Sequence, residues 1–420
     1  MLKFSRQAWA WASYDWANSA FYTTVVAGFF PIFFKLYWSE GVDVSITTSR
    51  LGLGISLTSL TLALISPLFG AYTDERSKKK SAIFFLVLLG SLSLLGLSFV
   101  EKGLWSWALI FYLLTMFMCT LSCIAYDSLL PAVARGIDLD RTSALGYSLG
   151  YLGGGLLFAL NVWMFLDPTF FGLKDGVQAV LVSFISVAIW WFVFTLPLMW
   201  GVQEKAPAVR RQFSVSQLFQ QNLQSFKEIW RQENLRYQVL SSWILLDGVN
   251  TIIAMAVDYG VSLHLESKHL ITALLITQFV GFPCAYIFGY WGARYGCKRM
   301  ILIAAAVYFI AIGFATQISE ASHFYILAAL IGSVQGGVQA LSRSLFAKLI
   351  PEEKSGEYFA VYNLIGKYAS IMGPFLISLL ALLIRQPRYS ILAVGLLFVV
   401  GSFLLLKVQE PKDSPSTEKN

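Results

Sequence analysis

Apolar runs of about 20 residues or more, the length that crosses the hydrocarbon core of a bilayer, recur from one end of this 420-residue chain to the other. Backbone in hydrocarbon must satisfy its own N–H and C=O groups, so such runs are restricted to helices or closed barrels. Continuous apolar runs of this length, without alternation at every second residue, read as helices. They are expected near 7–34, 50–73, 81–100, 104–131, 142–166 and 177–200, and again near 237–262, 270–293, 299–318, 322–350, 357–384 and 389–407. The reading is an all-α membrane protein of twelve transmembrane helices in two bundles of six. The expected division is 1–200 for the first bundle, 201–236 for a polar linker, 237–410 for the second bundle and 411–420 for a disordered tail. Charged residues make up only 13% of the chain, about half their usual share in a soluble domain, which excludes an ordinary soluble globule. The first run is long, contains Asp15 and lacks a small-x-small cleavage pattern, so it is expected to remain as a helix.

Basic residues set the orientation. The N-terminus, the linker, the tail and the loops after helices 2, 4, 8 and 10 hold 22 Lys and Arg, and the opposite side holds seven. Both termini and the linker are therefore expected in the cytoplasm, with an amphipathic interfacial helix near Ser214–Ile229. The net charge of +7 is spread over short loops, so no nucleic-acid partner is expected.

Within the apolar runs, polar residues stand out. An ionised Asp at the centre of a membrane helix costs roughly 2.5–3.5 kcal/mol on insertion scales and marks an ion or substrate path by default. Tyr14-Asp15-Trp16-Ala17-Asn18 places Asp15 and Asn18 one turn apart on one face, and Asp247 with Asn250 repeats that spacing. Desolvation favours the protonated form of a carboxylate, so Asp15 and Asp247 are the proton-coupling candidates. The other intramembrane charges are Asp127, Asp258, Arg343 and Lys367. Lys367 is placed to bind a substrate carboxylate or to neutralise Asp247. The aromatic residues beside these groups, Tyr14, Trp16, Tyr126 and Tyr147, are candidate solute contacts, as are Asn18 and Asn250.

The halves repeat each other. Gly70 to Lys80 is followed 219 residues later by Gly289 to Arg299, and Leu129-Leu130-Pro131 is followed 220 residues later by Leu349-Ile350-Pro351. Such parallel duplication is a known plan for carriers. The register sets Arg343 against Cys123, one turn from Asp127, and makes Asp127 and Arg343 a candidate gate at the cytoplasmic end. Cys119, Cys123, Cys284 and Cys297 lie in or beside apolar runs and read as packing residues rather than metal ligands. His264, His269 and His323 fall in or beside loops. Gly150, Gly153, Gly154 and Gly155 have no strand before them and read as a site of close helix packing, not as a nucleotide loop.

The loop Gly70-Ala-Tyr-Thr-Asp74-Glu75-Arg76-Ser77-Lys78-Lys79-Lys80 resembles the signature loop of the major facilitator superfamily. Glu75 and Ser77 depart from that pattern, and Ala293 stands where the second copy would hold its Asp. The resemblance implies gating roles for Asp74 and Arg76. More specifically, Tyr14 to Phe21, Leu145 to Gly154, Gln339 to Phe346, and Tyr362 to Lys367 with Gly373-Pro374 resemble the vacuolar effluxer-like branch linked to autophagy and its bacterial relatives. Gln339 and Asn363, polar residues within those motifs, join the candidate solute contacts.

The resemblance implies a secondary active transporter that works by alternating access on a small polar solute, an amino acid or a related metabolite, in the bacterial inner membrane. Its expected partners are that solute, a coupling proton and the bilayer; the chain is expected to act as a monomer without cofactor or metal. A drug exporter or a sugar-cation symporter of the same fold is the nearer alternative. A membrane enzyme is the remote one, since the chain holds no HExxH, GxSxG or Walker loop.

Overall fold

The computed structural model describes residues 4–204, 224–262, 266–318, 320–369, 373, 376 and 391–411. The linker interior 205–223, the tail residues 412–420 and His264 lie outside the described residues, as do the side chains of Arg76, Asp258 and Lys367. No strand occurs among the described residues.

The helices are α1 (Arg6–Trp38), α2 (Val44–Arg76), α3 (Lys79–Ser98), α4 (Trp105–Ser128), α5 (Ile137–Leu166), α6 (Gly176–Gly201), α7 (Glu233–Ser262), α8 (Ser267–Tyr295), α9 (Cys297–Ala315), α10 (Ala321–Leu349), α11 (Ser355–Ala369) and α12 (Leu392–Leu406). Nine among the described residues are long and apolar enough to cross a membrane. The other three, α7, α11 and α12, stand where the seventh, eleventh and twelfth spans are expected. On α2, Leu53, Leu57, Leu60 and Leu64 are all exposed. This apolar stripe at helical spacing has nothing to cover it in water and is accounted for by lipid.

Local chemistry explains several ends. The Ser5 hydroxyl accepts from the Ala8 N–H at 3.0 Å and opens α1, and Asp175 Oδ1 accepts from the Gln178 N–H at 2.8 Å and opens α6. Within α1 the winding changes. It is an α-helix to Ala20, a π-helix over Phe21–Phe29 and again over Phe34–Trp38, with the Phe30 N–H reaching back five residues to the Val25 carbonyl. Pro31, which has no N–H to give, sits in the single α turn between them. Such wide turns concentrate at functional positions, and this one begins just after the Asp15–Asn18 face.

The chain forms two compact units: Met1–Leu129 with Leu149–Asn222, and Leu130–Ser148 with Leu223–Asn420. The stretch Leu130–Ser148, which runs from just after α4 through the first turns of α5, therefore packs within the second unit. Inside the first unit α1 packs on α6, α3 on α4 and on α6, and α2 on α4; inside the second, α7 packs on α12, α9 on α10 and on α12, and α8 on α10. The neighbour pattern is duplicated along with the sequence motifs.

The two signature loops repeat in atomic detail. Ser77 has φ 45°, and its counterpart Gly296 has φ 94°; both turn left-handed where the preceding helix ends, the conformation that favours glycine. The next helix in each case starts on a carboxylate. Lys79 and Lys80 donate their N–H groups to Glu204 at 2.7 and 3.3 Å. Cys297 and Lys298 donate theirs to Glu410 at 2.9 and 3.2 Å.

Candidate functional site

In the first unit the polar face of α1 meets α4. The Tyr126 hydroxyl donates to Asp15 Oδ2 at 2.8 Å, the Tyr14 hydroxyl to Ser122 Oγ at 2.5 Å, and Asn18 Nδ2 lies 3.9 Å from Cys123 Sγ. Asp15 is buried, as are Tyr14, Asn18 and Tyr126. Trp11 holds the group from below: its ring stacks on Tyr126 at 4.3 Å, and its Nε1–H donates to the Tyr126 carbonyl at 3.0 Å. The structure thus brings together four of the residues expected from the sequence. Trp16 takes another direction. It stacks on Trp190 at 5.5 Å, and the Trp190 Nε1–H donates to the Trp16 carbonyl at 3.1 Å.

The glycines of α5 serve packing. A Cβ at Gly153 would lie 2.7 Å from the Trp16 ring, and one at Gly150 would lie 2.6 Å from Ser19 Oγ, so α1 and α5 approach as small residues allow. At the end of α2, Asp74 pairs with Lys79 at 2.7 Å, and the same ammonium donates to the Ser128 carbonyl at 3.3 Å. Asp127, next to Ser128, is buried.

In the second unit Asp247 is fully buried. Its carboxylate accepts from the Gly373 N–H at 3.0 Å and from Thr251 Oγ1 at 3.3 Å. A Cβ at Gly373 would lie 1.8 Å from Thr251 Oγ1, so glycine is what lets the backbone come this close. Asn250 and Gln339 are half-buried, and the Asn363 amide donates to the Phe359 carbonyl of its own helix at 3.0 Å. Gln335 escaped the sequence reading. It is buried, its Oε1 has no hydrogen-bond partner among the described residues, and it precedes Gln339 by one turn, the same spacing logic that singles out Asp15 and Asn18.

The start of α5 is bound into this unit. Ser143 Oγ donates to the Ala340 carbonyl at 2.7 Å, and Ser148 Oγ to the Phe282 carbonyl at 2.8 Å. Arg343 donates from Nε to Ser143 Oγ at 3.0 Å and from Nη2 to the Ser143 carbonyl at 2.9 Å, with its guanidinium 4.3 Å over the Tyr147 ring. Arg343, expected in a gate with Asp127, thus touches Tyr147, expected separately as a solute contact.

One turn toward the start of α5 lies a cluster that sequence reasoning missed. Asp140, with no exposed side chain, pairs with Lys348 at 2.8 Å and accepts from Ser344 Oγ at 2.8 Å and Cys297 Sγ at 2.9 Å. Asp140, Cys297 and Glu410 have ligand atoms within 4.8 Å of one another. The Lys348 ammonium stands among them, 3.5 Å from Glu410 and 3.9 Å from Cys297 Sγ, so the charge of the group is answered by a side-chain cation. Cys297, expected as a packing residue, is a polar member of this cluster.

A family model described as "Vacuole effluxer Atg22 like" matches residues 4–139 and 137–417. The chain belongs to the Atg22-like vacuole effluxer family. Among curated relatives, the MFS-type transporter YxiO of Bacillus subtilis is 34% identical, with 98% of this chain and 96% of that one aligned. Autophagy-related protein 22 of Eremothecium gossypii is 24% identical over 97% of this chain and 92% of its own. Among solved structures, the human organic anion transporter MFSD10 has a TM-score of 0.73 at 14% identity, covering 95% of this chain and 99% of that one. The proton:xylose symporter XylE has a TM-score of 0.70 at 13% identity, covering 96% and 94%. This Atg22-like protein therefore has the major facilitator fold and is a multi-pass integral membrane protein of a transporter family, not a membrane enzyme.

Proposed function

We propose that this protein is a secondary carrier moving a small polar solute, an amino acid or a related metabolite, across a bacterial inner membrane by alternating access of two six-helix halves. The observation that carries the reading is Asp15, a carboxylate buried in an apolar helix bundle and hydrogen-bonded by the Tyr126 hydroxyl. A membrane helix keeps such a group at a cost unless it serves a path. Asp247 repeats it in the second unit. We assign proton coupling to these two, solute contact to Tyr14, Trp16, Asn18, Tyr126, Tyr147, Asn250, Gln339, Asn363 and Lys367, and gating to Asp74, Arg76, Asp127 and Arg343. The effluxer description of the family and the amide, phenol and carboxylate groups near Asp15 support a zwitterionic solute. The bias of 22 basic residues to seven supports cytoplasmic termini and linker.

A ligand screen tests the solute class. A solute that binds only the folded state at a hundred times its Kd stabilises that state by about 2.7 kcal/mol. Purified protein is heated with amino acids, sugars, nucleosides, organic anions and lipophilic cations, and solutes that raise the transition are then tested for counterflow in proteoliposomes. Stabilisation and counterflow with amino acids support the reading. Stabilisation by sugars or lipophilic cations alone replaces it with the symporter or drug-exporter alternative.

A further inference from the structure

We propose that residues 224–231, the last described part of the segment joining the halves, form a docking face for anionic phospholipid headgroups that is bolted to the start of α11. The proposal goes beyond the carrier reading and does not depend on the solute. Covalent geometry sets the depth. The helical stretch Gln224-Ser225-Phe226-Lys227-Glu228-Ile229-Trp230-Arg231 ends two residues before α7 begins at Glu233. The Arg236 guanidinium donates back to the Trp230 carbonyl at 3.4 Å, which holds the stretch against the end of that span. A segment tethered so closely to a membrane helix lies at headgroup level.

One face of the stretch is fastened to protein. Ser225 and Ile229, four residues apart, are both buried. The Ser225 hydroxyl donates to Glu357, and Glu228 accepts from the Tyr358 hydroxyl at 2.9 Å and from Lys354 at 3.3 Å, all at or just before the first turn of α11. The other face carries two parallel rows. Phe226 and Trp230 contact each other edge to face at 5.8 Å, with Phe226 40% exposed. Lys227 and Arg231, the next row at the same spacing, are exposed. The Trp230 Nε1–H has no protein partner among the described residues. Glu233, the next exposed acid along the chain, stands in the first turn of α7, where an acid complements the helix dipole. An aromatic row beside a basic row is the pattern of a helix lying in the interface, rings among the upper acyl chains and cations on the phosphates. Because the opposite face holds Glu357 and Tyr358, a lipid seated here bears on α11.

The test uses full-length protein in phosphatidylcholine nanodiscs with rising phosphatidylglycerol. Both leaflets carry the same lipid, so a wrong sidedness does not affect the outcome. Wild-type protein is expected to gain thermal stability with phosphatidylglycerol, and the gain is expected to shrink in high salt. Lys227→Gln with Arg231→Gln should move the phosphatidylglycerol midpoint about thirtyfold while leaving the transition in pure phosphatidylcholine unchanged. Phe226→Ser, which keeps both charges, should reduce the gain less. An unaltered midpoint in the double variant overturns the proposal. So does an equal gain from inorganic phosphate with phosphatidylcholine alone, which would make the face a soluble-anion site.

Discussion

Glu204 and Glu410 hold the same place in the two halves. Each is the last residue of a Val-Gln-Glu sequence that follows the sixth helix of its half, and each accepts the first two N–H groups of the third helix of that half. The lysine second in line returns the contact: Lys80 donates to the Val202 carbonyl at 2.5 Å, and Lys298 to the Leu406 and Val408 carbonyls at 2.6 and 2.8 Å. A helix N-terminus and a helix C-terminus thus satisfy each other's open groups through one acid and one base.

Replacing either acid should destabilise its half. Glu204→Ala is expected to cost about 1–2 kcal/mol, the range for a charged acceptor at a helix N-terminus. Glu410→Ala should cost more, because Glu410 also lies 3.5 Å from Lys348. Thermal unfolding of the purified variants measures both, and equal losses would remove Lys348 from the account.

The left-handed turn offers a gain. Ser77 adopts φ 45° where its counterpart is glycine, and a non-glycine residue there carries a strain of roughly 1 kcal/mol. Ser77→Gly should therefore raise stability or leave it level, despite the added freedom of the unfolded chain. Gly296→Ala should lower it by about 1–2 kcal/mol, since its Cβ would also lie 2.9 Å from Glu410 Oε2.

Asp140 and Lys348 form a buried pair with side chains 0% and 5% exposed. Removing one partner leaves the other charged and buried, at a cost of about 3–5 kcal/mol. Asp140→Asn and Lys348→Met should each approach that figure, and the double variant should lose much less than their sum. A double-mutant cycle on thermal unfolding reads the coupling; additive losses would mean that the two do not act as a pair.

The coupling proposal separates binding from the gradient. Asp247→Asn or Asp15→Asn should abolish accumulation driven by a pH gradient while sparing solute exchange in proteoliposomes. Tyr126→Phe removes the phenol on Asp15 but keeps the ring on Trp11, so it should reduce gradient-driven accumulation less than Asp15→Asn does. Gradient-driven accumulation that survives in both Asp variants excludes proton carriage by this pair.

The gate proposal is tested by charge reversal. Asp127→Arg and Arg343→Asp should each slow transport and increase cytoplasmic cysteine labelling, with Arg343→Asp the more damaging because it also gives up Ser143 and Tyr147. The double reversal should recover labelling and part of the rate. A double variant no better than its singles rejects a direct Asp127–Arg343 gate.

Helix positions were legible in the sequence because bilayer thickness imposes one length on every span, a constraint that acts locally. The duplication was legible for a similar reason: Asp15 and Asn18, or Gly289 and Lys298, report their spacing without reference to any partner. Tertiary structure decided the rest. Ala293 leaves the second signature loop without its acid, and the carboxylates beside that loop are Glu410 and Asp140, the latter 208 residues from Lys348 and 157 from Cys297 in the chain. Nothing in the local sequence of α5 distinguishes Asp140 from its exposed neighbour Asp138. Trp16 and Tyr14 look alike beside Asp15, yet one stacks on α6 and the other bonds α4, a difference set by the direction of each side chain around the helix and by which helix stands there. Glu204 and Glu410 are single acids in polar stretches until folding brings a helix N-terminus to each. Spacing along a chain reports which residues share a face, whereas the identity of the partner depends on close packing between segments more than a hundred residues apart.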